Sequence, residues 1–267
     1  MRQTISTKAL RNEYRNRTGR TIPAGVVLYE GPSLIDGETP IVIIATGLDR
    51  STTNEKTGPL IQTWIMRADI PPHRAVYDGA DEPICGGCPF KSGNGCYVVT
   101  AFGPRAIWGA YKNGVYETYD PAAHDYIFAS TGLRIGSYGD PTAGPYKLWK
   151  RLADLAPMRT GYTHQWRIGR FWRFRALIMA STHSAEENEL AQSKGWRTFR
   201  AKDPAQPVAG NEIVCPASAE AGYTKDCATC GACNGNANGG SRRSVVIDIH
   251  GSIATVAMAR RALPVLS

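Results

Sequence analysis

The seven cysteines of this 267-residue chain lie in two short stretches, and this distribution constrains the fold more than any other feature. The two stretches read Cys85-x2-Cys88-x7-Cys96 and Cys215-x11-Cys227-x2-Cys230-x2-Cys233. An odd number of cysteines excludes complete pairing in disulfides, and clustered cysteines in a reducing compartment are more often metal ligands or redox groups. The sequence therefore predicts a fold that brings two separate sets of thiols together.

The second cluster contains four cysteines, and its two successive C-x2-C steps allow the thiolates to converge on one centre. Four thiolates suit a tetrahedral zinc ion and an iron–sulfur cluster equally well. His250 follows in the sequence and could replace one cysteine in a zinc site. The residues alone leave zinc and iron–sulfur open here.

The first cluster contains only three cysteines, which leaves one position of a zinc ion or of a cubane iron open to a substrate or cofactor. Completion of a closed structural site by His73 is the alternative interpretation. A catalytic thiol is less favoured, because no histidine is close to this cluster in the sequence. The three-ligand pattern therefore favours a functional centre.

The pattern of apolar residues changes along the chain. Residues 1–80 contain short runs rich in Val, Ile, Thr and aromatic residues between turn residues, which predicts a β-rich N-terminal segment. From about residue 100, predicted strands alternate with predicted helices, such as the helix in SAEENELAQSKG with Ser184 at its N-cap and Gly195 at its end. This alternation favours an α/β fold, a parallel sheet or barrel, over residues 81–267.

Polar residues occur at the ends of nearly all of the later predicted strands. In parallel α/β folds, functional groups collect where strands run into the loops that follow them. Their number therefore predicts an active site at this edge, built from Asp140, His164, His183, Asp203, Cys215, Asp248 and His250.

The formal net charge of +8 favours a polyanionic partner. Residues 159–175 interleave arginines with aromatic residues, and arginine contacts phosphates while aromatic faces stack on unpaired bases. The candidate nucleic-acid contacts are Arg167, Arg170, Arg173, Trp166 and Trp172. A half-buried helix with a solvated arginine face is the competing interpretation.

Membrane and secretory signals are not expected from the sequence. Residues 1–20 are basic but contain no apolar run typical of a signal peptide, and no apolar stretch reaches the roughly 18 residues of a membrane helix. A cytoplasmic location without a membrane partner is therefore expected.

The order of several motifs resembles a known phage family. The segments CPF…GCYV, RIGSYGDP, GYTHQW, LIMAST and IVCPASAE…CATCGACNG…VVIDIHG resemble the family called gene product eighty-eight. Their layout is also similar to phage proteins grouped as gene product thirty-seven/sixty-eight, which are placed with the radical S-adenosylmethionine enzymes. The usual signature of those enzymes is C-x3-C-x2-C, whereas this chain has C-x2-C-x7-C.

The resemblance implies a TIM-like, partial barrel and an iron–sulfur enzyme that modifies a nucleic-acid base or nucleoside, such as phage DNA in the host cytoplasm. Cys85, Cys88 and Cys96 would bind a 4Fe–4S cluster whose open iron takes S-adenosylmethionine. The second cluster would hold an auxiliary 4Fe–4S cluster or zinc. The residues implied to line the cofactor pocket or to act in catalysis are Tyr97, Ser137, Asp140, Ser181, His164 and Asp248.

Two other functions remain open at this stage. Guanine transglycosylases, including those that insert deazaguanines, are also TIM barrels with a late zinc site. Here Cys227, Cys230, Cys233 and His250 would bind zinc, and Asp140 with Asp203 or Asp248 would act as base and nucleophile. The third possibility is a non-catalytic nucleic-acid-binding protein in which zinc stabilises both clusters.

Overall fold

The computed structural model of the chain describes residues 6–50, 55–236 and 243–249. Within these residues, one ten-stranded sheet is accompanied by eight α-helices. The helices are α1 (Thr7–Thr18), α2 (Pro72–Tyr77), α3 (Glu82–Cys85), α4 (Gly103–Lys112), α5 (Pro121–Ser130), α6 (Tyr146–Leu155), α7 (Ala185–Ser193) and α8 (Cys227–Cys230). The strands are β1 (Gly25–Pro32), β2 (Pro40–Thr46), β3 (Ile61–Arg67), β4 (Glu117–Thr118), β5 (Leu133–Tyr138), β6 (Arg159–Thr163), β7 (Met179–Thr182), β8 (Thr198–Lys202), β9 (Glu212–Val214) and β10 (Ser244–Asp248).

The strand order is β4-β1-β2-β3-β5-β6-β7-β8-β10-β9. β2 is antiparallel to both β1 and β3, and all other pairs are parallel. The predicted α/β class is therefore confirmed, with a mostly parallel sheet. Within the described residues no pairing joins the edge strands β4 and β9, so hydrogen bonds do not close the sheet into a barrel.

The N-terminal strands belong to the same sheet as the later ones. β3 pairs with β5 in parallel, with Ile61 opposite Leu133 and Gln62 opposite Arg134. The two segments predicted over residues 1–80 and 81–267 therefore share a continuous hydrogen-bonded ladder.

Several elements form where local sequence signals place them. β2 has the sequence PIVIIAT and is buried over five consecutive residues, as expected for a central strand. The Ser184 side chain accepts a hydrogen bond from the Glu187 backbone N–H and caps α7, while Gly195 has φ +75° just beyond its end. These predictions are confirmed.

The arginine-rich segment is not the α-helix that one interpretation of residues 159–175 predicted. After β6 it forms two 3₁₀-helices, Gln165–Arg167 and Gly169–Ala176. Phe171 and Phe174 are buried in the main hydrophobic core. The aromatic residues at these positions therefore anchor the segment to the protein.

The two faces of the C-terminal half of the sheet pack against different partners. Ala180 belongs to the main core, together with Ala191 from α7. Its neighbour Met179 points to the opposite face and packs in a separate cluster with Val245 and Cys233. We call the face that carries Met179 the inner face, and the second cysteine cluster lies on it.

Within the part of the chain that the structure describes, no helix has both the length and the apolar character needed to cross a membrane.

Candidate functional site

The first cysteine cluster lies above the carboxyl ends of the central parallel strands. α3 ends at Cys85, and the carbonyl of Ile84 accepts a 2.6 Å hydrogen bond from the backbone N–H of Asp140. Asp140 comes two residues after the end of β5. This bond fixes the start of the cysteine loop to the edge of the sheet where functional residues are expected.

Gln165 holds the same loop from the end of β6. Its side-chain oxygen accepts from the Gly87 N–H at 3.2 Å, and its side-chain nitrogen donates to the Cys85 carbonyl at 3.1 Å. Gly86 between them has φ +53°, and a Cβ there would lie 2.3 Å from the Gln165 nitrogen. Only glycine allows this close approach without displacing the Gln165 side chain.

The three thiols of the first cluster are close enough to influence one another. The pKa of Cys88 is raised to about 12, mainly by burial and also by ionised Cys96 and Asp140, against opposing backbone hydrogen bonds. Burial also raises the pKa of Cys85, to which Asp81, Cys88 and Cys96 add. The thiols are therefore held protonated unless a cation lies among them.

A buried hydroxyl next to this cluster has no partner. Tyr138 is only 3% exposed, and its hydroxyl makes no hydrogen bond with any of the residues that the structure describes. Burial raises its pKa, and nearby Cys85, Asp81 and Cys96 add to that effect, which places the hydroxyl beside the thiols. Because buried polar groups are normally hydrogen-bonded, this one indicates a polar ligand at the first cluster.

The second cysteine cluster is held at the inner face by backbone hydrogen bonds from three directions. The Cys227 N–H donates to the Lys56 carbonyl, in the segment before β3. The Cys233 carbonyl accepts from the Gly161 N–H in β6, and the Cys215 N–H donates to the Val246 carbonyl in β10. Strands far apart in the sheet order therefore meet at these four thiols.

The thiols of the second cluster also influence one another. The pKa of Cys233 is raised to about 12, mainly by burial. A hydrogen bond with Tyr162 opposes this rise, and the thiols of Cys215, Cys227 and Cys230 add to it. Burial raises the pKa of Cys227 to about 11, which Arg134 opposes. All four sulfur atoms therefore share one environment.

Both clusters have the donor chemistry of a soft-metal site. Within residues 6–50, 55–236 and 243–249, no three His, Cys, Asp or Glu side chains already converge as ligands on one point. The thiols of each cluster are near enough to interact electrostatically, and a bound cation would supply the positive charge that deprotonation of buried thiols requires. All-sulfur donor sets fit zinc or iron–sulfur clusters.

Asp140 was predicted as a catalytic and cofactor-binding residue, and its carboxylate is saturated with hydrogen bonds from the protein. One carboxylate oxygen accepts from the Thr142 backbone and hydroxyl, and the other accepts from the His164 backbone N–H at 2.9 Å. The Thr163 hydroxyl lies within 3.0 Å of both oxygens. Burial raises the pKa of Asp140, and these hydrogen bonds oppose the rise. The carboxylate therefore ties the ends of β5 and β6 together.

Replacing Asp140 by asparagine is expected to lower the free energy of unfolding by about 1–3 kcal/mol. Backbone N–H groups of Thr142 and His164 donate to different carboxylate oxygens, so the new amide group must face one of them. Chemical denaturation measures the change, and Thr142→Val, which removes only one hydroxyl, should cost less. Unchanged stability together with lost activity would instead assign Asp140 to the chemistry.

His164 and His183 form a pair at the ends of β6 and β7. Their Nε2 atoms are 3.0 Å apart, their rings stack, and the Phe90 ring meets His183 edge-on. Burial lowers the pKa of His164 to about 4. Phe90 lies two residues after Cys88, so the first cluster and the histidine pair meet at one edge of the sheet.

The depressed pKa of His164 predicts an acid-sensitive fold. The unfolded chain protonates this histidine near pH 6.5, whereas the folded protein does so only near pH 4. Stability should therefore fall as the pH drops from 6.5 to 4, by up to about 1.4 kcal/mol per pH unit from this group. The measurement is the difference between wild type and His164→Gln in denaturation at several pH values. Parallel curves for the two proteins would contradict the prediction.

The four other predicted site residues each make a hydrogen bond or an ion pair within the protein. The Ser137 hydroxyl donates to the Gln62 side chain at 2.6 Å, and the Ser181 carbonyl accepts from the Trp166 indole. Asp248 forms an ion pair with Lys202. The Tyr97 hydroxyl accepts from Arg134.

The remaining two candidate ligands are His250 and His73. His250 lies outside the described residues. His73 has a buried Nδ1 without a hydrogen-bond partner.

The candidate nucleic-acid contacts are mostly stacked within the protein. Trp166 is 2% exposed and carries Arg167 over its ring at 4.0 Å, so it offers no face to a base. Arg170 donates to the Ile35 carbonyl, and Arg173 lies over Tyr146. Trp172 remains 50% exposed, and Arg175 lies over its ring. The proposed stacking role therefore has to be corrected for Trp166, while Trp172 keeps an accessible ring.

Sequence reasoning missed three residues that organise the site: Gln165, Tyr138 and Arg134. Gln165 directly follows the predicted strand-end His164, so it could have been included with the strand-end residues. Arg134 lies between apolar Leu133 and Ile135, and this alternation predicts an ordinary solvent-facing position for the arginine. Its role is visible only once the two faces of the sheet are known.

Comparison of the chain with family models, with curated proteins and with solved structures gives no match. The fold and the site together define an α/β protein with an open, mostly parallel sheet and two clusters of buried or half-buried thiols.

Proposed function

We propose that this chain is an iron–sulfur enzyme of the radical S-adenosylmethionine type that modifies a nucleic-acid base or nucleoside. The observation that carries the proposal is the first cluster. Three mutually close thiols lie at the carboxyl edge of the sheet, beside the unpartnered buried hydroxyl of Tyr138. Three sulfur ligands would leave one position for a further ligand, which the Tyr138 hydroxyl could contact.

The order of the strands supports a TIM-like, partial barrel. Six parallel strands follow one another in both space and sequence as β3-β5-β6-β7-β8-β10, apart from β9, which is added outside β10. The loop with Cys85, Cys88 and Cys96 follows the first of them. A reactive centre after the first parallel strand agrees with the layout that the family resemblance implies.

In this proposal the chain's own residues bind, orient and shield the centre. A cluster with bound S-adenosylmethionine would supply a radical able to abstract hydrogen from an inert carbon. Gln165 fixes the backbone of Cys85, and the His164–His183 pair with Phe90 closes one side of the site. Cys215, Cys227, Cys230 and Cys233 would hold an auxiliary cluster or zinc.

The nucleic-acid part of the proposal rests on charge and on one exposed surface. The net charge of +8 favours a polyanion, and Trp172 with Arg175 presents a half-exposed aromatic ring under a guanidinium. Action in the cytoplasm, that of a phage's host if the gene is phage-encoded, would agree with a substrate of this class.

The two alternatives receive less support from the site. A zinc-dependent guanine transglycosylase would need two available carboxylates, Asp140 and either Asp203 or Asp248. Asp140 is saturated with hydrogen bonds, Asp248 pairs with Lys202, and Asp203 accepts from the Ala205 N–H. A purely structural zinc protein leaves the unpartnered Tyr138 hydroxyl unexplained.

Iron, zinc and acid-labile sulfide per chain, measured on anaerobically purified protein, test the proposal directly. We expect about four irons or more with a broad visible absorption, and reductive cleavage of S-adenosylmethionine. A colourless protein that contains only zinc would overturn the radical mechanism, and base exchange would then be the activity to assay.

A further inference from the structure

Arg134 lies on the inner face of the sheet, which also carries the second cysteine cluster, and it contacts Tyr97 beside the first cluster. Its neighbours Leu133 and Ile135 belong to the main core on the other face. Because side chains alternate along β5, the Arg134 side chain projects from the inner face. Across the ladder it lies opposite Gln62. The guanidinium therefore faces the same side as the second cysteine cluster.

The hydrogen bonds of Arg134 are incomplete. One terminal nitrogen donates to the Tyr97 hydroxyl at 2.7 Å, while the buried Nε has no partner among the described residues. In the described part of the chain, no carboxylate forms an ion pair with it. Because a guanidinium has five donors and an unpaired buried charge is costly, this arrangement indicates a missing anion.

The surroundings of Arg134 connect both clusters. Tyr97, whose hydroxyl accepts from Arg134, directly follows Cys96 of the first cluster, and Tyr162 and Cys227 of the second cluster also interact electrostatically with the guanidinium. Tyr97 is 62% exposed, so this part of the inner face can be reached from solvent. A ligand bound there would lie between the two centres.

We propose that Arg134, together with the Tyr97 hydroxyl, binds a phosphate group of the substrate, so that the enzyme acts on a nucleotide rather than on a free nucleoside. The inference rests on the proposed function for the class of substrate. The guanidinium of Arg134 has a planar pair of donors that matches the oxygens of a phosphate. A bound phosphate would replace the Tyr97 hydroxyl as the acceptor for Arg134, and the hydroxyl could then donate to the phosphate as well.

The test compares the affinities of the anaerobically purified holoprotein for the four deoxynucleoside 5′-monophosphates and for the matching nucleosides, by calorimetry. At least one monophosphate should bind about tenfold or more tightly than its nucleoside. Arg134→Met should abolish this preference, while the affinity for the nucleoside stays unchanged. Arg11→Met, which removes an exposed arginine of α1, should leave the preference intact.

Two milder variants keep the test decisive if Arg134→Met does not fold. Arg134→Lys keeps the charge but loses the fork, so the preference should fall several-fold, and Tyr97→Phe should reduce it less. A wild-type protein that binds nucleoside and monophosphate equally, or an Arg134→Lys variant with unchanged preference, would overturn the inference. So would an Arg134→Met variant that alters only the metal content, because Arg134 would then be a counter-ion of the second cluster.

The calorimetric test of the phosphate site and the metal and cleavage tests of the proposed function can fail separately. Iron and cleavage of S-adenosylmethionine without a preference for phosphate would reject the inference alone. A preference for phosphate that depends on Arg134 in a protein without iron would reject the radical mechanism and keep the phosphate site.

Discussion

Cys88→Ala should abolish the cleavage of S-adenosylmethionine and remove about four irons per chain, whereas Cys230→Ala should leave the cleavage detectable. Both cysteines are half-buried members of a C-x2-C pair, so the two variants remove the same atom from comparable positions. They differ in location, because Cys88 follows the loop that Gln165 fixes above the strand ends, and Cys230 ends α8.

Iron content, sulfide content and 5′-deoxyadenosine formation, measured on anaerobic protein, separate the roles of the two clusters. Thermal unfolding of each variant shows whether the fold survives. Loss of cleavage in both variants would mean that the clusters act as one unit. If Cys88→Ala lowers the thermal stability but leaves metal-dependent cleavage intact, the first cluster is structural and the proposed function is wrong.

The sequence predicted the elements of this fold better than their arrangement. Apolar runs such as PIVIIAT, and the Ser184 cap of α7, are local signals, and the structure confirms both. The position of β9 outside β10 depends on pairing between distant segments, which no local pattern encodes. α5 was missed although its buried positions recur at helical spacing, because polar His124 interrupts the apolar face formed by Ala123, Ile127 and Phe128.

The candidate site was predicted in part, for a physical reason. Residues at the ends of parallel strands converge, so Asp140 and His164 were found together as expected. Their roles could not be read from position, because only the packed structure shows that the Asp140 carboxylate is saturated. Arg134 was overlooked because strand alternation gives two faces without showing which of them carries the second cluster.

Glu212→Gln should produce the largest loss of stability, about 3–5 kcal/mol in the free energy of unfolding, because it leaves the buried guanidinium of Arg200 without a counter-charge. The two side chains are 0–2% exposed and form a bidentate pair at 2.8 and 2.6 Å. Glu212 also accepts from the Ala209 N–H. Chemical denaturation measures the effect, and Glu13→Gln, in an exposed pair of α1, should change little.

The double variant Arg200→Met/Glu212→Leu should recover most of that loss, since it removes both charges and fills the space with apolar groups. The pair joins β8 to β9, and Cys215 directly follows the end of β9. Glu212→Gln should therefore lower the metal content of the second cluster before that of the first, and the double variant should restore it. If the double variant is stable but still lacks metal at the second cluster, then the charge pair itself, rather than the placement of β9, orients Cys215.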